Sequence, residues 1–301
     1  MKLQDIANST RSVARPLIGG DPELALQLQT RLGELGLLDP PADGKFASAS
    51  QWALSQFLSM IKRPGNARID AGVARELLDA DVDDFLPVNI KDGLAGRLVG
   101  ATQEAGFWLS RHPECVNIIY VEGVDADGEP NDDAPNVFND VRVVLHINRA
   151  GHPQIDGIWE ATTEPGKFYT SVKKLDPRGA ARVKFGQYKS WAVGTHMMGR
   201  PTAHEALVQV ANIDVYRDLN EDFERDGDAT FTGIFGINQH CGYDLPKADV
   251  GRASAGCLVG RTKGGHREFM SLCKSDARYI ANNAYKFMTA VIPADALQGS
   301  D

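Results

Sequence analysis

Helical periodicity runs through roughly the first eighty residues of this chain and then gives way to short apolar and β-branched runs separated by Gly, Pro and Asp turns. One layer cannot satisfy both patterns, so the 301 residues should divide into a small and a large unit, and 43% hydrophobic residues can supply a core to each. The reading is an α+β multidomain chain: an N-terminal tail over 1–19, a small three-helix bundle over 20–85, and a mostly β domain with helices over 86–301.

In the first unit, Asp21-Pro22 reads as an N-cap followed by proline at the first helical position, with Leu24, Leu28, Leu32 and Leu35 at helical spacing up to Gly36. After the turn-rich LLDPPADGKF, Ser48 and Gln51 are spaced as a capping box for a second helix with Leu54, Phe57, Leu58 and Ile61 as its buried stripe. Asp70 can cap a third helix that buries Val73, Ala74, Leu77 and Leu78. Leu35, Phe46, Trp52 and Phe57 read as core residues rather than ligand contacts.

The chain loses helical periodicity between Asp83 and Ile90, and DGLAGRLVGATQEAGFWL then reads as a helix into the larger unit. Strands are expected at Val116 to Val121, Val141 to Ile147 and Ala206 to Val215, and a final helix from about His266 to Met288.

With 40 acidic against 32 basic residues, the net charge of -8 argues against a nucleic-acid partner held through phosphates. The first twenty residues carry no apolar segment of the length a secretory signal needs, and no stretch approaches a membrane span of roughly 18 apolar residues. The cysteines at 115, 241, 257 and 273 form neither a CxxC pair nor a dense disulfide framework, which leaves room for a working thiol. Zinc is disfavoured because Cys241, Cys257, His266 and Cys273 lack the short spacings of a zinc site. The loop DLNEDFERDGD offers Asp218, Asn220 and Asp222 in alternation, but Phe223 and Ala229 stand where a calcium loop needs Gly and Glu, so it reads as a solvated hairpin.

The segment GIFGINQHCGYDLPKADVGRASAGCLVGR carries the most chemistry, with His240 after an apolar run and Cys257 seventeen residues later inside Ser-Ala-Gly-Cys. A thiol is only slightly ionised at neutral pH, and an adjacent imidazole is the usual means of making it a nucleophile. Cys257 is therefore the candidate nucleophile and His240 its base, and their thiol is expected to titrate below the roughly 8.5 of free cysteine. Gly256 allows close backbone approach to a substrate, amides near Cys257 could receive an oxyanion, and Ser254 could orient the turn or the imidazole. Isolated His196 and His204 read as structural groups that could reach the same pocket.

This segment resembles the motif of L,D-transpeptidase-like (YkuD-type) domains, in which a histidine-glycine element precedes Ser-x-Gly-Cys at comparable spacing. TTEPGKFYT is similar to that family's Thr-Pro-x-Gly-x-Phe turn through Pro165, Gly166 and Phe168, and LALQLQTRLGELGLLDPPADGKFASASQWALSQFLSM resembles a peptidoglycan-binding module. Val259 stands two residues after Cys257, where the family has its arginine, and Arg261 stands four after; Gly242 follows His240 by two. The resemblance implies a mostly β catalytic domain, peptidoglycan as partner, an acyl-enzyme on Cys257, substrate contacts from Gly242 and Arg261, and no cofactor. Transfer to an amine and hydrolysis stay open, as does a phage-type lytic peptidase, and the competing class is a non-catalytic wall-binding protein in which His240 and Cys257 are packing residues.

Overall fold

The computed structural model describes residues 1–298. The polar start is not a tail. Leu3, Ile6 and Ala7 of helix α1 (Leu3–Ala7) are buried in the N-terminal core, Arg75 donates to the Ala7 carbonyl at 2.8 Å, and β1 (Val13–Ala14) pairs antiparallel with β2 (Arg68–Ile69). Asp21 starts α2 (Pro22–Glu34) by accepting from the Leu24 amide at 3.1 Å, and Gly36 stops the run at φ 69°, a left-handed conformation that a side chain disfavours.

Helix α3 (Ser48–Met60) begins without the expected capping box, since no side chain accepts from its first-turn amides. It still buries Leu54, Phe57 and Leu58, whereas Ile61 falls just past its end. Asp70 caps α4 (Ala71–Asp79) through the Val73 amide at 2.9 Å, and α5 (Val82–Phe85) follows. Three short helices leave part of a small core open. Here α1 and α5 join the expected three around one cluster, so among the described residues the unit is a five-helix assembly with a two-stranded ribbon.

Leu86 belongs to that cluster, while Val88 packs against the next one. Beyond α6 (Leu94–Glu104) come β3 (Asn117–Glu122), β4 (Asp140–Ile147), β5 (Pro153–Thr162), β6 (Ala180–Val183), β7 (Gly186–His196), β8 (His204–Gln209), β9 (Ile213–Asp218), β10 (Ala229–Gly233), β11 (Gln239–Cys241) and β12 (Leu258–Gly260). Helices α7 (Lys263–Ser275) and α8 (Ala277–Ala281) precede the last strand, β13 (Phe287–Pro293).

Eight strands close into a barrel in the order β11-β12-β5-β4-β3-β13-β7-β8, and β10-β9-β6 form a separate three-stranded sheet. The pairs β11–β12 and β3–β13 are parallel, and the other barrel pairs are antiparallel. In β3, Ile118 and Tyr120 join one core with Trp191, Leu258 and Phe269, while Ile119 and Val121 pack with Leu98 and Val99 of α6. A strand covered on both faces reads as a continuous apolar run, which is what the sequence shows there.

Two expectations change. The segment from His266 to Met288 is not one helix: Asp276 caps a second short helix through the Arg278 amide, and Phe287 and Met288 open the strand that joins β3 to β7. The run from Ala206 to Val215 is two strands, separated at Val210–Asn212.

The two units meet at a buried polar joint. Asp39, 2% exposed, accepts from the Tyr285 hydroxyl at 2.9 Å, pairs with Lys189 at 2.8 Å and lies 3.7 Å from Arg278. Trp108 also donates its indole N–H to the Gly33 carbonyl at 2.9 Å.

Candidate active site

Residues paired in a parallel sheet present their side chains to the same face. The register Gln239↔Leu258 and His240↔Val259 thus places His240 and, one step before Leu258, Cys257 on one face of adjacent strands. Both line a cavity of about 340 Å³ with His196, Tyr243, Arg217 and Arg252.

The Cys257 turn is shaped from below. Ser254, fully buried, accepts from the Gly256 amide at 3.1 Å and donates to the Cys257 carbonyl at 2.9 Å. Gly256 adopts φ 117°, and a Cβ there would stand 2.4 Å from the Ala181 carbonyl of β6, so only glycine fits. Its amide is taken by Ser254, which removes it as an oxyanion donor. Gly166 donates its amide to the Ser254 carbonyl at 2.9 Å, bringing the TTEPGKFYT turn directly against the cysteine turn.

His240 is buried, and its Nδ1 lies 2.8 Å from the Cys241 carbonyl. That contact requires the proton on Nδ1 and leaves Nε2 as the basic nitrogen. His196 stacks on it at 3.8 Å between ring centres and is itself held by the Asn238 side-chain amide at 2.9 Å. Burial, and then the neighbouring His196, hold the His240 pKa well below the ordinary imidazole value. Burial pushes the Cys257 thiol up, to about 11, partly offset by the Asn238 amide that donates to its sulfur at 3.4 Å. The side chain keeps some solvent contact, which tempers that rise without reversing it. Burial thus works against the low-titrating thiol expected at Cys257 and favours the neutral forms of both thiol and imidazole.

Gly242 and Arg261 lie outside the cavity lining. Gly242 continues the β11–β12 ladder by donating to the Gly260 carbonyl at 2.7 Å, and a Cβ on it would come within 2.9 Å of Phe138. Arg261 pairs with Glu160 at 2.5 Å and donates to the Leu245 carbonyl. The guanidinium groups at the cavity come instead from Arg217 and from Arg252, which lies over the Phe168 ring at 3.9 Å.

Several positioning residues carry no signal in the sequence. Gln209 accepts from the Phe235 and Ile237 amides at 2.9 and 3.0 Å and donates to the Gly233 carbonyl at 2.9 Å, fixing the segment whose Gly236 carbonyl lies 3.8 Å from the Cys257 sulfur. Trp191 donates to the Ile237 carbonyl at 2.8 Å.

Behind the site, oxygens of Glu122, Asp133 and Glu164 lie within 4.8 Å of one another. Arg182 pairs with all three and Arg225 with Glu122, so guanidinium groups already occupy the space a cation would need. In the acidic loop, the Asp218 carboxylate is committed to the Glu221 and Phe223 amides. Among the described residues, no helix is long and apolar enough to cross a membrane.

No family model matches the chain, and no curated protein matches it. Among solved structures, an L,D-transpeptidase from Xylanimonas cellulosilytica aligns over 89% of this chain and 92% of its own, at 13% identity and a TM-score of 0.21. At that score the likeness carries no weight for fold or function.

Proposed function

We propose that the protein is a cysteine enzyme of acyl transfer that acts on the stem peptide of peptidoglycan. The observation that carries the chemistry is the convergence of Cys257 and His240, on one face of adjacent parallel strands, at a single cavity. The substrate class is supported by the resemblance of the Ser254–Cys257 segment, the Pro165–Phe168 turn and the N-terminal unit to wall-acting proteins.

In this reading the neutral His240 Nε2 takes the thiol proton as the Cys257 sulfur bonds to a stem carbonyl carbon. The C–N bond then breaks, His240 returns the proton to the leaving amine, and the acyl group stays on sulfur until an amine or water removes it. The Asn238 amide supports developing thiolate charge. Arg252, which has no acidic partner among the described residues, is placed to receive a substrate carboxylate, whereas Arg217 is paired with Asp176 at 3.4 Å and Arg261 with Glu160.

The test is mass spectrometry of purified muropeptides after incubation with the full chain. We expect a shortened or exchanged stem with wild-type protein and none with folded Cys257→Ala, a loss of at least about a thousandfold. Because burial favours the neutral thiol of Cys257, a non-catalytic wall-binding protein is the second reading; turnover absent from wild-type protein that still binds sacculi would favour it.

A further inference from the structure

Helix α7 carries Lys263, Arg267, Met270 and Lys274 at helical spacing, which puts them on one face. That face, with His266, forms one wall of a cavity of about 670 Å³, and the residues from Pro201 to Glu205 leading into β8, together with Tyr243, form the others. A space of this size suits a small molecule rather than a single ion. Tyr243 also lines the Cys257 cavity, and among the described residues no other is shared.

Cationic groups dominate this rim in a chain of net charge -8. Lys274 pairs with Glu205 at 2.8 Å and Lys263 with Asp244 at 3.5 Å, but all four side chains are between 40 and 53% exposed. Exposed pairs of this kind are weak and screened by salt, so both lysines are free to turn to a ligand. Arg267 is exposed and has no acidic partner among the described residues.

Behind the cavity wall lies a further cation without a counter-charge. Arg142 of β4 is fully buried, has no acidic partner among the described residues, and leaves Nε and one terminal nitrogen unpaired. Its other terminal nitrogen donates at 3.2 Å to Nδ1 of His266, whose Nε2 donates to the Glu205 carbonyl at 2.8 Å. Burial first, and then Arg142, hold the His266 pKa down to about 3. The lining imidazole is therefore neutral, and a buried guanidinium, costly to hold without an acid, stands directly behind it. An anion in the cavity would offset that charge.

We propose that the cavity between α7 and β8 binds a small polyanion, a molecule bearing two or more phosphate or carboxylate groups. Arg267, Lys263 and Lys274 hold its charged groups, and Tyr243 and Met270 pack against its body. Binding here asks nothing of Cys257, so the site stands whether or not the acyl-transfer reading does.

The test is calorimetry on the full chain with tripolyphosphate and with the aromatic tricarboxylate trimesate, beside the neutral triamide of trimesate. One saturable site is expected for at least one anion, weakened by added salt, with no binding of the amide. The tighter anion names the charged group. Arg267→Glu and Lys263→Glu should each weaken binding at least about tenfold, while Arg149→Glu, at an exposed arginine outside the cavity, should leave it unchanged. Hydrogen exchange of the wild-type protein with the anion bound gives a readout independent of variant folding. Protection at residues 201–205 and 263–274 supports the site. Protection around Arg252 and Cys257 instead, affinity unchanged in Arg267→Glu, or no binding of either anion overturns it.

Discussion

His240 lies in a stack of imidazoles, and that company decides its working pH. Protonating it would put charge into a buried site already facing His196, so the base stays neutral well below the usual imidazole range. Activity limited by this base should stay flat as pH falls from about 8 to about 6, without the acid limb of an ordinary histidine near 6.5. A kcat/KM profile on a soluble muropeptide checks this, and a fall centred near 6.5 would assign the base elsewhere. At this scale the sequence was informative because the His240 and Ser254–Cys257 elements are local in the chain. The guanidinium groups were not legible, since Arg217 and Arg252 reach the cavity through the sheet order, whereas the nearby Arg261 turns to Glu160. Nor could spacing show that Cys241 and Cys257 would face different cavities.

Among the elements, β8 and the loop before β11 depend on one another through Gln209. Its side chain serves the Gly233 carbonyl at the end of β10 and the Phe235 and Ile237 amides that follow it. Gln209→Ala leaves these groups without partners and should cost about 1–3 kcal/mol. Because Gly236 borders the Cys257 sulfur, kcat should fall more than KM rises. Thermal unfolding and steady-state kinetics together check this, and a destabilised variant with unchanged kcat would reduce Gln209 to packing. Strands β3 and β4 were legible as apolar runs, and α2 and α4 from their caps and stripes. The first two residues of the strand FMTAVIP, Phe287 and Met288, read as the end of a helix because the strand is largely buried, and without alternation such a run cannot be told from a buried helix. Its pairing with β3, far away in the chain, lies beyond any local signal.

Across the whole molecule, the sign of a buried charge cluster should show in stability. Glu122, Asp133, Asp140 and Glu164 gather around two guanidinium groups, Arg182 and Arg225, so charge balance lets two carboxyls keep protons. Burial and then the Glu122 charge push Asp140 up to about 8; burial chiefly, with Asp140 and Glu122 adding to it against the pull of Arg182, pushes Glu164 up to about 9. Unfolded, both would ionise near pH 4, so the folded state holds more protons, and stability declines as pH rises from about 4 through those folded values. Each retained proton contributes a slope of up to ~1.4 kcal/mol per pH unit. Glu164→Gln should flatten the loss between about pH 6 and 9 in denaturant titrations, and an unchanged slope would remove Glu164 from the account. The Asp39 joint bears on a different matter, the interchangeability of parts. A carboxylate from the N-terminal unit is committed to Tyr285, Lys189 and Arg278 of the barrel unit. Swapping that unit for another helical segment, or clipping it off, would strip the barrel of a buried counter-charge. Any graft would have to bring its own acid to that spot.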